Sequence, residues 1–178
     1  WEPKTKTAVI ESANVIGLAK LPPGKFHPFE LDTFGLGAVI RAAAKKGARR
    51  CLIGIGGSAT NDGGFGVARA LGWKFGDRND APIERWTGLH RLVRVAAPKR
   101  KRWFADLIVA VDVQNPLLGP RGATRVYGPQ KGLRLFEFRE AERNLRRLAA
   151  MAGTFVVPPS GGPDRLNPEL QTFPGAGA

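Results

Sequence analysis

Residues 51–66, CLIGIGGSATNDGGFG, decide the fold of this chain and are the starting point for its function. The run Cys51–Ile55 is short and apolar, which predicts a buried β-strand. The glycines, hydroxyls and Asn-Asp pair after it predict a loop whose backbone approaches a ligand closely, because glycine has no Cβ. The pattern from Phe65 predicts a helix that ends at Gly72. A strand, a glycine-rich loop and a helix in this order offer free N–H groups to an anion, although a tight turn without a ligand is the alternative.

The same loop partly matches a dinucleotide-binding motif. Residues 54–59 fit the pattern G-x-G-x-x-A, and Asp77 lies roughly 20 residues further on, where that motif places an acidic residue. The match would put the last three glycines of the loop inside the first turns of a helix, at a cost of about 1 kcal/mol each. No Gly-Lys-Ser/Thr follows, which excludes an ATP-type P-loop. The sequence therefore favours a wide loop, with the helix starting near Asp62 or later, that encloses a compact polar ligand.

A second group of polar residues follows another predicted buried strand, Leu107–Val111. Asp112 comes directly after this strand, where open α/β sheets bind their ligands. Asn115, Arg121, Gln130 and Lys131 follow within twenty residues. Together they suit a polar, anionic substrate. The alternatives are that Asp112 caps a turn and that Lys131 is a solvated surface residue.

Periodicity along the rest of the chain predicts alternating strands and helices. We expect strands at Thr7–Ser12, Trp73–Phe75 and Arg91–Ala96, a surface excursion at Asp77–Trp86, and helices at Thr33–Lys46 and Leu133–Met151. The last helix has a predicted apolar stripe of Leu135, Phe138, Leu145, Leu148 and Ala149. This alternation predicts an α/β fold, a layered sheet with flanking helices. We assign residues 1–152 to one α/β domain and residues 153–178 to a Pro/Gly-rich connection.

Composition limits the classes of function. The formal net charge is +13, but the basic clusters carry no nucleic-acid-binding module, so we expect no specific nucleic-acid partner. No apolar run approaches the roughly 18 residues that span a bilayer, so we expect no membrane partner. The lone Cys51 forbids an internal disulfide and favours a cytoplasmic protein. His27 and His90 are isolated, without the spacing of metal ligands.

Several motifs resemble those of the glycerate kinase family of bacteria. They are GIGGSATNDGGFG, VDVQNPLLGPRGATRVYGPQKG, TFGLGAVIRAAAKKGARR, the segment Thr7–Ala13 and the closing PGAGA. The family's Asp-Ser-Phe-Lys-Gly-Ser and Asp-Gly-Gly-Glu-Gly motifs do not occur, so we expect an internal piece of a longer, two-domain kinase. The resemblance implies transfer of the γ-phosphoryl group of ATP, with Mg²⁺, to D-glycerate. The implied product is 2-phosphoglycerate, with 3-phosphoglycerate as the alternative.

Phosphoryl transfer requires positioning and charge stabilisation, and the candidate residues are assigned on that basis. Asp62 or Asp112 is expected to accept the substrate hydroxyl proton or to hold Mg²⁺, and Lys131 to balance charge on the transferred group. The expected substrate and phosphate ligands share small or polar side chains and lie in the two loops: Gly56, Gly57, Ser58, Thr60, Asn61, Asn115, Arg121 and Gln130.

Three other functions stay open at this point. One is an inactive, ligand-binding fragment of such a kinase, which the missing motifs favour. Another is a dinucleotide-dependent oxidoreductase, which requires Asp77 to reach a ribose. The third is a nucleic-acid binder. The oligomeric state is not determined by the sequence.

Overall fold

A three-stranded parallel sheet forms the centre of the chain in a computed structural model that describes residues 1–22 and 24–153. Its strands are β1 (Thr7–Glu11), β2 (Arg50–Gly54) and β5 (Asp106–Ala110), in the spatial order β1-β2-β5. Strands β3 (Lys74–Gly76) and β4 (Arg94–Ala96) form a separate antiparallel pair. The helices are α1 (Ala13–Ile16), α2 (Phe34–Lys45), α3 (Phe65–Ala70), α4 (Ala123–Tyr127) and α5 (Phe138–Ala152). Short 3₁₀ turns lie at Leu18–Lys20, Pro28–Glu30, Trp86–Arg91, Pro129–Lys131 and Leu135–Glu137.

One face of the parallel sheet is packed against α2. Successive side chains of a strand point to opposite faces, and the in-register pairs Ala8↔Cys51 and Ile10↔Ile53 direct four buried side chains to the same face. Leu36 and Ile40 of α2 complete this core, together with Ala48 and Phe104. The predicted strand–loop–helix unit is confirmed: β2 is followed by a loop and then by α3, whose last residues precede Gly72.

A second core lies around the β3–β4 pair. Phe65 of α3 tilts against Phe75 with ring centroids 4.7 Å apart, and Trp86 is fully buried beside them. Helix α5 adds Phe138, and the core also contains Ile83, Leu89, Leu92, Leu133 and Ala141.

Within the described residues, no helix is both long and apolar enough to cross a membrane.

Helices α2 and α3 approach each other closely, and this contact positions the glycine-rich loop. A Cβ added to Gly37 would lie 2.4 Å from the Cβ of Ala70. A Cβ added to Gly66 would lie 2.4 Å from the backbone nitrogen of Phe34 and 2.7 Å from that of Thr33. Only glycine therefore fits at position 66, which explains a glycine inside the first turn of α3.

We expect Gly66→Ala to lower the free energy of unfolding by about 1–3 kcal/mol, because two stretches of backbone must separate to admit the methyl group. Urea denaturation followed by tryptophan fluorescence measures the change. Gly54→Ala is the matched control, since nothing lies within 4 Å of a Cβ at that position. An unchanged unfolding midpoint for Gly66→Ala would contradict the close contact.

Four sequence predictions need correction. Strand β5 was expected to be buried, but Leu107, Ile108 and Val109 are all exposed because only β2 pairs with it. Leu135 is exposed in a 3₁₀ turn, and α5 begins three residues later at Phe138.

The other two corrections concern the middle of the chain. The predicted strand at 91–96 is shortened to β4, since the residues before it belong to the 3₁₀ turn Trp86–Arg91. The excursion at 77–86 is anchored rather than superficial, because Ile83 and Trp86 are buried in the second core. Of the predicted connection 153–178, all but Gly153 lies outside the described residues.

Candidate functional site: a cleft at the ends of strands β2 and β5

The two polar loops meet in a cleft of about 290 Å³ at the carboxyl ends of β2 and β5. Because these neighbouring strands are parallel, both release their chains at the same edge of the sheet. The cleft is lined by Leu18 of the first 3₁₀ turn, by residues of the glycine-rich loop and of the segment after β5, and by the end of α4 with the turn that follows it: Leu18, Ile55, Gly56, Gly57, Ser58, Val111, Asp112, Val113, Tyr127, Gln130 and Lys131.

The first wall of the cleft is the segment Gly56–Ser58, which backbone contacts hold in place. Gly57 has a φ of 70°, a left-handed conformation that favours glycine. Its carbonyl accepts a hydrogen bond from the N–H of Leu18 at 3.0 Å, and Ser58 forms a β-bridge with Gly17. The Ser12 hydroxyl donates to the carbonyl of Gly56 at 3.3 Å. These contacts fix the wall before any ligand binds.

Asp112 faces this wall with a free carboxylate. Its Oδ1 and Oδ2 lie 3.8 and 3.9 Å from the position of a Cβ on Gly56. Asp112 is exposed, and no group in residues 1–22 or 24–153 donates a hydrogen bond to its side chain or pairs with it. A carboxylate with unused lone pairs in a cleft is suited to accept a proton or to bind a hard cation.

Lys131 also lines the cleft and is buried. Its Nζ donates a 2.6 Å hydrogen bond to the carbonyl of Thr60. Burial lowers the pKa of Lys131 to about 8, and the negative charge of Asp62 partly counteracts this effect. Lys131 is therefore not a solvated surface residue.

The carboxylate of Asp62, unlike that of Asp112, already accepts several hydrogen bonds. Its Oδ2 accepts from the N–H of Thr33 at 2.9 Å, the hydroxyl of Thr33 at 2.8 Å and the N–H of Gly66 at 2.8 Å. Its Oδ1 accepts from the N–H of Gly64 at 3.2 Å. Burial raises the pKa of Asp62, and these hydrogen bonds oppose the rise. The side chain joins the start of α2 to the start of α3.

Asp62 and Asp112 do not line the same cavity. Asp62 borders a larger, mostly apolar cavity of about 710 Å³ between the sheet and helices α2 and α3. Ser58 lines both cavities and Thr60 only the larger one. Lys131 lines the cleft together with Asp112, and its amine is attracted to Asp62.

Asp77 lies at a third cavity, apart from the two already described. It borders a cavity with His90 and Arg147, and its Oδ1 accepts hydrogen bonds from the N–H groups of Asn79 and Ala81. The structure therefore does not bring Asp77 to the glycine-rich loop, as a dinucleotide site would require.

Comparison with known proteins identifies the family. The glycerate kinase family profile matches residues 1–178. The chain belongs to the glycerate kinase family. Its similarity to the glycerate 2-kinase of Escherichia coli K12 is 38% identity over 176 residues, 97% of this chain and 44% of that protein. The glycerate kinase of Bacillus subtilis 168 is 43% identical over 150 residues, 83% of this chain and 39% of that protein.

A solved structure of the glycerate kinase family has the same fold. The crystal structure from Salmonella typhimurium LT2 whose assigned name is glycerate kinase 2 superposes with a TM-score of 0.85 and 34% identity. The match covers 99% of this chain and 46% of the Salmonella chain. This member of the glycerate kinase family therefore spans less than half the length of the relatives it matches.

Of the remaining predicted site residues of this glycerate kinase family member, Gln130 lines the cleft, whereas Asn61, Asn115 and Arg121 do not. Asn115 is engaged: its Nδ2 donates to the carbonyl of Arg121 at 3.0 Å, and its Oδ1 accepts from the hydroxyl of Tyr127 at 2.6 Å. Asn61 is fully buried and donates to the hydroxyl of Thr124 at 3.2 Å.

Two buried polar atoms of the glycine-rich loop have no hydrogen-bond partner among the described residues, the Thr60 Oγ1 and the Asn61 Oδ1. Nor do those residues contain a group of three or more His, Cys, Asp or Glu side chains arranged to hold a metal ion. Asp112 is the one carboxylate among the described residues that line the cleft.

Three residues that matter here were not singled out from the sequence. Tyr127 lines the cleft and donates a hydrogen bond to Asn115, and Leu18 lines the cleft from the segment after β1. Thr33 was read as a helix start, but its hydroxyl donates to Asp62 and accepts from the N–H of Val67 at 2.9 Å. The position of Thr33 before α2 was visible in the sequence, whereas its distant partners depend on tertiary packing.

The Lys131 amine is expected to titrate near pH 8, because burial disfavours its charged form more than Asp62 favours it. NMR of ¹⁵N-labelled lysine side chains measures this pKa directly. Asp62→Asn should lower it further, since the attraction that raises the pKa is lost. A wild-type value near the ordinary 10.5 would contradict the buried position of the amine.

Proposed function

We propose that this chain forms the phosphate- and acceptor-binding wall of an ATP-dependent D-glycerate kinase that produces 2-phosphoglycerate. The observation that carries the proposal is the meeting of Gly56–Ser58, Asp112 and Lys131 in one cleft. Membership of the glycerate kinase family supports the reaction class. The choice of the 2-phosphate follows the name of the Escherichia coli relative, glycerate 2-kinase.

The anionic groups of both substrates are assigned to the glycine-rich wall and to Lys131. The backbone of Gly56–Ser58 approaches a ligand without the obstruction of a Cβ at two of its three positions. Lys131 lines the cleft, and its ammonium group, protonated below about pH 8, is buried against the carbonyl of Thr60. A fixed positive charge in a partly enclosed site stabilises the charge that develops on a transferred phosphoryl group.

Asp112 is assigned the proton of the acceptor hydroxyl. The glycerate oxygen forms a bond to the γ-phosphorus, the bond from that phosphorus to the bridging oxygen breaks, and ADP leaves. The hydroxyl proton passes to a carboxylate oxygen of Asp112. No described residue donates a hydrogen bond to this carboxylate or forms an ion pair with it. Gln130, at the edge of the cleft, is assigned to hydrogen bonds with the acceptor.

Asp62 is assigned a positioning role in place of the catalytic role that the sequence suggested. Its two oxygens accept four hydrogen bonds from Thr33, Gly64 and Gly66, which leaves little room for a metal ion or a substrate hydroxyl. Its charge faces Lys131. Asp62 thus holds the loop in place through its hydrogen bonds and favours the protonated form of Lys131.

Mg²⁺ fits the cleft through Asp112, because carboxylate oxygen is a preferred ligand and one or two protein carboxylates with water suffice. The ion would neutralise charge on the phosphates of ATP. We keep Mg²⁺ binding by Asp112 as the alternative to proton transfer by the same side chain.

Cytoplasmic location remains the expectation from the buried free thiol of Cys51.

The test measures ADP release that depends on both ATP and D-glycerate, with ³¹P NMR of the product to distinguish the 2-phosphate from the 3-phosphate. Because the chain spans less than half of its relatives, two proteins are assayed. One is the 178-residue chain. The other, here called the chimera, carries the chain in place of the matched 176 residues of Escherichia coli glycerate 2-kinase.

Turnover by the chimera to 2-phosphoglycerate, with binding of ATP or D-glycerate by the 178-residue chain, is the expected result. A folded chimera without turnover, together with a chain that binds neither ligand, would contradict the proposal. Binding by the chain with no turnover in the chimera would leave a ligand-binding module in place of the kinase.

A further inference from the structure

The cavity that Asp77 borders, of about 520 Å³, collects positive charge from three separate parts of the chain. Arg78 lies in the turn after β3, Arg91 ends the 3₁₀ turn Trp86–Arg91, and Arg147 belongs to α5. Asp77 is the one acidic residue among the described residues that line this cavity. Three guanidinium groups and one carboxylate leave an excess of two positive charges. None of the residues that line this cavity lines the cleft.

The carboxylate of Asp77 neutralises only part of this charge. Its Oδ1 accepts hydrogen bonds from the N–H groups of Asn79 and Ala81 at 2.9 and 3.1 Å. Its Oδ2 lies 3.6 Å from an Nη of Arg91, which is half exposed. No described residue pairs with the guanidinium of Arg78. Asp77 therefore holds the turn after β3 and one of the three arginines.

Helix α5 holds the opposite wall of the cavity. Asn144 is fully buried, and its Oδ1 accepts from the N–H of His90 at 2.7 Å. Three residues later on α5, the Nε of Arg147 donates to the carbonyl of Leu92. A guanidinium has five N–H donors, and no described residue accepts from the two Nη groups of Arg147. The wall is thus fixed before any ligand binds, and most donors of Arg147 stay available.

His90 adds a further polar group to the cavity. Its Nδ1 lies 3.2 Å from the carbonyl oxygen of Thr87 and 3.3 Å from the Oδ1 of Asn144. Both of these oxygens are acceptors, so Nδ1 carries the ring proton. The Nε2 of His90 has no partner among the described residues, and in the neutral ring it can accept a hydrogen bond from a protonated oxygen of a ligand.

The charge and the size of the cavity indicate the class of ligand. Arginine side chains bind phosphate and carboxylate oxygens through two parallel hydrogen bonds. A phosphate monoester carries about −1.5 to −2 charges near neutral pH and has three acceptor oxygens, which matches the excess of two positive charges better than a single carboxylate does. The volume of about 520 Å³ lies within the usual range for small-molecule sites, so it also admits the organic part of a phosphate ester.

We propose that the cavity of Arg78, Arg91 and Arg147 binds the phosphate group of a small phosphorylated molecule. Inorganic phosphate offers the same chemistry, and the test distinguishes the two sources. In Mg²⁺-ATP the cation already neutralises phosphate charge, so that complex is expected to act mainly at the cleft. This inference does not depend on the reaction that the cleft performs.

NMR of the ¹⁵N-labelled 178-residue chain tests the proposal, because each site is followed through its own signals. The chain is titrated without Mg²⁺, once with inorganic phosphate and once with glucose 6-phosphate, each against potassium chloride of equal ionic strength. We expect saturable shifts at the amides of Asn79 and Arg91–Val93 and at the Nε–H of Arg147. Tighter binding of glucose 6-phosphate would identify the ligand as a phosphate ester, and binding of inorganic phosphate at least as tight would identify free phosphate.

Arg78→Gln is expected to weaken binding in the cavity by about tenfold, since it removes charge-assisted hydrogen bonds. Arg91→Gln is a second variant with the same expectation. Arg143→Gln is the matched control: it removes one charge from an exposed position of α5 outside the cavity and should weaken binding by less than about twofold. Shifts that do not saturate or that potassium chloride reproduces would overturn the proposal. Equal effects of Arg78→Gln and Arg143→Gln would also overturn it, in favour of non-specific attraction by the net charge.

Discussion

Asp112→Asn is expected to lower kcat of the chimera for glycerate phosphorylation by about 10²–10⁴-fold, the usual range for loss of a general base. Asp112 is the carboxylate of the cleft, and no described residue donates a hydrogen bond to it or pairs with it. Asparagine keeps the size of this side chain but cannot accept the proton. We expect the KM values to change much less than kcat, because the walls of the cleft stay in place. Steady-state kinetics with varied ATP and D-glycerate measures both.

Asp106→Asn is the control for this prediction. Asp106 begins the same strand at its other end and forms only an exposed ion pair with Arg50 at 3.4 Å, so its amide should leave kcat unchanged. Wild-type turnover in Asp112→Asn would remove Asp112 from the reaction. Recovery of the variant at high Mg²⁺ would instead assign Asp112 to metal binding.

Asp62→Ala is expected to lower the free energy of unfolding of the 178-residue chain by about 3–5 kcal/mol. The substitution leaves the N–H groups of Gly64 and Gly66 and both donors of Thr33 without an acceptor, and it removes the charge that faces the buried Lys131. Losing one partner of buried charges has this magnitude. For a small domain it is a large share of a total of about 5–15 kcal/mol.

Urea denaturation measures this change, and Asp106→Ala provides the matched control. Its exposed ion pair should contribute less than about 1 kcal/mol. A stability loss for Asp62→Ala as small as that of the control would show that the four hydrogen bonds do not hold the loop. Asp62 would then be free to act on a ligand, as the sequence first suggested.

Local patterns predicted the elements of this fold well. The apolar run before the first glycines is β2, and the periodic segment before Gly47 is α2, because each pattern is set by neighbours in sequence. The prediction that the helix after the loop starts beyond the dinucleotide pattern is confirmed by α3, which begins at Phe65. The α/β class and the glycerate kinase family are also confirmed.

Burial and pairing depended on contacts that no local pattern encodes. The apolar sequence of β5 predicted a buried strand, yet burial requires neighbours on both sides and the described residues supply only β2. Asp62 and Asp112 have the same chemistry and similar contexts, each after a strand. Only the structure distinguishes Asp62, which accepts four hydrogen bonds, from Asp112, to which no group in the described part of the chain donates. Leu135 fits the apolar period of α5 but precedes its first turn.

Titration of the ¹⁵N-labelled chain with Mg²⁺-ATP and D-glycerate, followed through backbone amide shifts, tests the shared cleft most directly. We predict that the largest shifts occur together at Gly56–Ser58, Asp112–Val113 and Gln130–Lys131, which are distant in sequence and adjacent in the fold. Shifts confined to one of these segments, or centred on the cavity of Asp77, His90 and Arg147, would contradict a single site formed by the two loops.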